Sequence, residues 1–157
     1  MTIKPRAITP YLWFNDKAEE AAKFYVSLFE GSKITGEMRP DPSAPPLIVN
    51  FNLAGTDFIA LNGGPNFTLN EAFSIFVQVD TQEQVDELWN KLTANGGEES
   101  KCGWLKDRYG LSWQIIPQTL LDRLSDKDPV KAKRAMDAML QMQKIDIDKI
   151  ERAYAGR

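Results

Sequence analysis

One order of patterned segments occurs twice along this chain. A strand, a helix and three strands run from residue 8 to 64, and the same series runs from 73 to 117. A repeat this long means two copies of one supersecondary unit rather than a solenoid. In the first copy Ile8–Phe14 alternates, with Thr9, Tyr11 and Trp13 on one face and Pro10, Leu12 and Phe14 on the other. Pro10 lacks an amide donor and marks an edge or a strand start. Asn15 or Asp16 is placed to cap a helix over Lys17–Glu30, with Ala18, Ala21, Ala22, Tyr25, Leu28 and Phe29 at helical spacing and Gly31 after its end. Strands are predicted over Ser32–Arg39, Leu47–Leu53 and Phe58–Asn62, with the proline-rich loop Asp41–Pro46 between the first two.

The second copy opens with Phe73–Val79, which places Ser74, Phe76 and Gln78 on one face. Asp80 or Thr81 caps the next helix, and Gln84 stands where a capping box needs it after Thr81. Val85, Leu88, Trp89 and Leu92 form its buried stripe. A short strand near Glu98–Lys101 leads into an aromatic hairpin from Cys102 to Pro117, turning at Asp107-Arg-Tyr-Gly110. Ser112, Gln114 and Ile116 share one face of its second strand, and Leu111, Trp113 and Ile115 share the other. The apolar face suits a helix, and the face with polar tips suits a cavity. The expected fold is therefore α+β: two βαβββ units, each sheet covered on one side by its helix, forming a curved mixed β-sheet around a concave surface.

Residues 118–157 belong to neither copy. Leu120, Leu121 and Leu124 fit a short helix, Asp128-Pro129 begins another, and Asp146 caps a last one bearing Ile147, Ile150 and Tyr154. The methionine-rich stripe of Ala132, Ala135, Met136, Met139, Leu140 and Gln143 packs either within the chain or against a second subunit. The length of 157 residues fits a single domain over 1–157, comprising the two units and a C-terminal helical extension.

Several functions are excluded at this level. A net charge of −3 gives no electrostatic case for nucleic acid. No apolar run reaches membrane-spanning length and no leader pattern opens the chain, so the expected compartment is the cytoplasm. The chain has no histidine, which removes histidine-based triads and histidine metal ligands. Cys102 is the only cysteine, so no internal disulfide can form, and it is expected to be a small buried hydrophobe. By alternation Tyr11, Trp13, Phe76, Gln78 and Gln114 face the concavity. Asn62, before Gly63, is a turn residue or a ligand contact, and Trp104 is a cavity wall or a packed aromatic. Glu71 and Asp107 are carboxylates near strand ends, expected to be solvated or capping.

The two units resemble the vicinal-oxygen-chelate superfamily. The resemblance rests on Pro10-Tyr-Leu-Trp-Phe14, Ala18-Glu-Glu-Ala21, Phe24-Tyr25, Ala60-Leu-Asn-Gly-Gly-Pro65 and Cys102-Gly-Trp-Leu-Lys-Asp107. It is to the PhnB-like branch, whose members often carry the name 3-demethylubiquinone-9 3-methyltransferase, and it extends into the tail at Lys144-Ile-Asp-Ile147. The superfamily includes glyoxalase I, bleomycin-resistance proteins and extradiol dioxygenases, whose concave sheet surrounds a small-molecule site. Its enzymes hold a divalent metal there. The resemblance also implies a homodimer. Its metal-ligand positions fall on Thr9, on Ala60 or Asn62, on Ser74 and on Gln114. None of these supplies an imidazole or a carboxylate, and neutral hydroxyls and amides are weak ligands by themselves. Gly63-Gly64 precedes Pro65 rather than a helix, so no glycine-rich methyl-donor turn follows a strand.

The expectation is a metal-free cavity, with no cofactor, that binds or sequesters a small organic ligand through Tyr11, Trp13, Asn62, Phe76, Gln78, Trp104 and Gln114. The alternatives are a methyltransferase by family label, or a metal-dependent lyase or oxidoreductase by superfamily analogy.

Overall fold

The computed structural model describes residues 1–157, and the chain separates into two compact units, Met1–Leu69 and Asn70–Arg157. The first contains β1 (Tyr11–Phe14), α1 (Ala18–Leu28), β2 (Lys33–Met38), β3 (Ile48–Leu53) and β4 (Thr56–Asn62). Its sheet has the order β1-β4-β3-β2, with β1 parallel to β4 and the other pairs antiparallel. A parallel pair needs a crossover, and α1 lies within it. Leu12 and Phe14 of β1, Val49, Phe51 and Leu53 of β3, and Phe58 and Ala60 of β4 are buried with Ala18, Ala21, Ala22 and Tyr25 of α1. The small residues of α1 let the helix approach the sheet, while Tyr25, Phe51 and Phe58 fill the space behind them. Phe51 and Phe58 stack at 5.4 Å. The outermost strand, β2, is bulged between Ile34 and Gly36 and mostly exposed.

The second unit contains β5 (Ser74–Val79), α2 (Gln82–Thr93), β6 (Glu98–Glu99), β7 (Trp104–Lys106) and β8 (Ser112–Pro117), in the sheet order β5-β8-β7-β6. Again the first and last strands pair in parallel across the helix. Val85, Leu88, Trp89 and Leu92 of α2 are all buried, as their spacing predicts. The capping box forms at Thr81 and Gln84. The two mixed four-stranded sheets, each with its helix, realise the expected α+β arrangement of two βαβββ units.

The start of α1 corrects one expectation. Neither Asn15 nor Asp16 caps the helix. Lys17 occupies the N-cap position without a side-chain bond, and the Ala18 amide donates instead to Oδ1 of Asn62 at 2.8 Å. A second correction concerns Cys102. It is half-buried in a turn, with φ of 58°, rather than buried in a strand. The first strand of the hairpin begins only at Trp104.

After β8 come α3 (Gln118–Leu124), α4 (Pro129–Met139) and α5 (Ile147–Ala155). Part of their stripe, Ala135 and Met139, packs within the chain. Leu120, Ala135, Ile145 and Ile150 form a core with Ile116 of β8, and Met139 and Met142 pack against it. Met136 and Leu140 remain exposed. Backbone bonds fasten the tail to the turn before β7: Cys102 donates to Met142 and Gly103 to Gln143, both at 2.8 Å. The Gln82 side chain donates to the Ile145 carbonyl and accepts from the Ile147 amide. Gly103 is required at this junction. Its φ is +82°, and a Cβ there would lie 2.7 Å from Cδ1 of Ile116 and 3.1 Å from Cγ1 of Ile145.

Candidate functional site

In the first unit, strand pairing fixes which side chains share the face opposite α1. Tyr11 is registered with Ile59, Trp13 with Leu61, Ile48 with Leu61, and Asn50 with Ile59. These six residues occupy the face not covered by the helix. Tyr11 is exposed, with no helix above it. Trp13 is held within the unit: its Nε1 donates to the Gly64 carbonyl at 2.9 Å, and Phe67 meets its ring edge-on at 5.0 Å. The indole lies so close to Gly63 that a Cβ there would be 2.4 Å from Cε2 of Trp13.

Asn62 lies on the opposite face. It pairs with Phe14, and shares its face with Phe58 and Ala60 against α1. Besides accepting from Ala18, it donates Nδ2 to the Pro46 carbonyl at 2.9 Å. Both ends of its amide serve the fold, on the face toward α1 rather than the one that carries Tyr11 and Trp13. Ala60, the other candidate for the same superfamily position, is fully buried beside α1.

The second unit brings more of the candidates together. Phe76, Gln114 and Trp104 are register partners across β5, β8 and β7, and form one row on the face away from α2. Gln114 is oriented by its Nε2 donating to Oγ of Ser74 at 3.0 Å. Phe76 is 47% exposed, so the row has an open aromatic end. Gln78 is on the same face one pleat further, but its Nε2 donates to Oε1 of Gln118 at 3.0 Å, at the start of α3. Beside the row lies a second one, Ser74, Ser112 and Lys106. Lys106 pairs with Glu71 at 2.6 Å. Each ion holds the other charged: the Lys106 ammonium keeps the Glu71 carboxyl below its ordinary value, and Glu71 raises Lys106. Alternation along β8 identifies Ser112, but its partner Lys106 depends on the hairpin register.

Asp107, 2% exposed, organises the hairpin turn. Oδ1 accepts from the amides of Tyr109 and Leu111, and Oδ2 accepts from Nε1 of Trp113 at 2.9 Å. It faces the turn and the indole, in the capping role expected from the sequence.

The donors at the superfamily's metal positions do not suit a divalent ion. Thr9, Ser74 and Gln114 are neutral, Ala60 has no donor, and Asn62 is committed to α1. No three Asp, Glu or Cys side chains come together in a group that could hold a metal. Catalytic metals are held mainly by imidazole, thiolate or carboxylate, and none of these stands at the mapped positions.

Paired βαβββ units are the arrangement that the resemblance to the vicinal-oxygen-chelate superfamily implies, and the comparisons place the chain in its PhnB-like branch. The family model described as 3-demethylubiquinone-9 3-methyltransferase matches residues 6–116, and the chain belongs to that family. A solved PhnB protein from Bacillus cereus, provisionally named a 3-demethylubiquinone-9 3-methyltransferase, is 34% identical. The match covers 71% of this chain and 99% of that one, with a TM-score of 0.65. Protein PA1353 from Pseudomonas aeruginosa shares the fold at 22% identity, 70% and 96% coverage and a TM-score of 0.58. So does a protein of Bacillus cereus described as a possible glyoxalase, at 15% identity, 71% and 99% coverage and a TM-score of 0.50. No curated protein matches the sequence. The family match ends at Ile116, which corrects the expectation that the resemblance runs into the tail.

Proposed function

We propose that this protein binds a small organic ligand without a metal ion, on the face of the second sheet that carries Phe76, Gln114 and Trp104. The observation that supports this reading is the row itself: an amide oriented by Ser74 stands between two aromatic side chains on a face that α2 does not cover. Aromatic surface with a few oriented polar groups is the usual chemistry of a small-molecule site. Tyr11 and Trp13 are the corresponding candidates in the first unit. In this reading the protein acts in the cytoplasm as a two-fold homodimer. No helix is long and apolar enough to cross a membrane.

Methyl transfer is the second reading, and it comes from the family's name. Against it, the segments leading into α1 and α2, Asn15-Asp-Lys17 and Asp80-Thr81, contain no glycine to approach an adenosylmethionine carboxylate or ribose. A thermal-shift screen of small aromatic and polar ligands, run with and without divalent metals and adenosylmethionine, tests both. The proposal expects stabilisation by an organic ligand that does not depend on metal and is lost in Gln114→Ala. Stabilisation by adenosylmethionine, or a stoichiometric metal lost on the same substitution, would overturn it. Light scattering at micromolar concentration should give the dimer mass.

A further inference from the structure

Next to the aromatic row the second unit holds a small pocket of about 110 Å³, lined by Glu71, Glu98, Ser100, Trp104, Lys106 and Ser112 among others. Its floor is unusual. Ser112 is 1% exposed, and its Oγ has no hydrogen-bond partner in the protein. Buried hydroxyls normally have partners, because leaving one without costs about 1–3 kcal/mol. Glu71 and Glu98 against the single Lys106 give the walls an excess of negative charge. The carboxylate of Glu99 is used elsewhere, accepting from Nε1 of Trp89 at 2.7 Å.

We propose that this pocket is a subsite for a primary ammonium group on the ligand, which donates to Oγ of Ser112 and is balanced by Glu98, the carboxylate left over once Glu71 pairs with Lys106. The aromatic part of such a ligand would lie on Trp104 and Phe76, and to that extent the inference rests on the function proposed above. An ammonium suits the pocket on three counts. It is a compact donor of three hydrogen bonds. It supplies the donor that Ser112 lacks. It also offsets the carboxylate excess, which would repel an anion.

The test is a titration of isotope-labelled protein, followed by amide and side-chain NMR shifts, with three probes of similar shape: 2-phenylethylamine, 2-phenylethanol and 3-phenylpropionate. The expected result is that the amine moves Ser112, Lys106 and Trp104 and binds most tightly, while the carboxylate binds least. Ser112→Ala should weaken the amine roughly tenfold, the loss of one charge-assisted hydrogen bond, and leave the alcohol closer to its original affinity. Glu98→Gln should weaken the amine alone. Ser112→Ala removes an unpartnered hydroxyl, so it is expected to fold at least as stably as the parent. Equal binding of all three probes at Phe76 and Gln114, unaffected by Ser112→Ala, would overturn the ammonium subsite and leave the aromatic–amide site standing. Movement of Ser112 and Lys106 by the amine while Phe76 and Gln114 stay still would support the subsite and overturn the role of the row. No shift on this face with any probe would overturn both.

Discussion

Replacing Asp107 tests whether the hairpin is held by one buried carboxylate. That side chain accepts from three donors: the amides of Tyr109 and Leu111 and the indole of Trp113. Leu111 and Trp113 are fully buried, so in Asp107→Ala their two donors lose the partner and cannot turn to water. Tyr109 is half-buried, and its amide can be rehydrated. At about 1–3 kcal/mol for each buried donor, the expected loss is about 4 kcal/mol, a large share of an ordinary domain's stability. Asp107→Asn keeps an acceptor for the two amides but turns an NH₂ toward Nε1 of Trp113, which orphans one donor and costs about 2 kcal/mol. Urea unfolding of the parent and both variants measures the differences. Adding Trp113→Phe removes the indole donor, so Asp107→Asn should cost less in that background than alone. If the alanine variant loses less than about 1 kcal/mol, or if the asparagine and alanine variants are equally unstable, the carboxylate does not organise the turn as described.

Three further outcomes follow from the same structure. Gly103→Ala should lose about 2–4 kcal/mol in urea unfolding, combining a left-handed backbone with the overlap against Ile116 and Ile145; a loss under about 0.5 kcal/mol would refute the close approach. Asn62→Ala should cost about 1–2 kcal/mol by uncapping α1, whereas Asn15→Ala should cost almost nothing, and the reverse order would contradict the assigned cap. The carboxyls of Asp86 and Asp126 are held below their ordinary values, the first by hydrogen bonds from Lys144 and then Gln82, the second by Tyr154 and then the Asp128 amide. Groups with lowered folded values contribute stability above the unfolded value near 4 and lose it as the pH falls through the folded one, so hydrogen-exchange protection of the Gly103 amide should drop below about pH 4. Protection unchanged down to about pH 2 would contradict this.

Much of the fold was legible because its signals are local. The capping box at Thr81 and Gln84, the α2 stripe and the turn at Asp107 each lie within a few residues of sequence. The cap on Ala18 is supplied from 44 residues away, so the nearer Asn15 and Asp16 attract the assignment. The face of Asn62 was equally hidden. Alternation within β4 gives a parity but not its sense, and only the pairing of Phe14 with Asn62 turns that side chain toward α1. Cys102 reads as strand because its neighbours are β-formers, but successive positive φ values at Cys102 and Gly103 make a turn there. The pocket under Lys106 was beyond reach, since it depends on which residues of β5, β7 and β8 stand abreast.

The bonds from Cys102 and Gly103 to Met142 and Gln143 also bear on the order in which the chain becomes structured during synthesis. Every bond described for the first unit joins residues before position 70, so those bonds can form while the rest is still being made. The second unit differs. Its turn at 102–103 and the Gln82 clamp reach forward to residues 142–147, and Ile150 completes the core around Ile116. Domains acquire structure as their sequence emerges from the ribosome. Until the last turns of the chain are out, two backbone donors at the head of β7 and the apolar side of Ile116 have no protein cover. A nascent chain that has emerged only as far as Pro117 would present that surface, and a completed one would hide it.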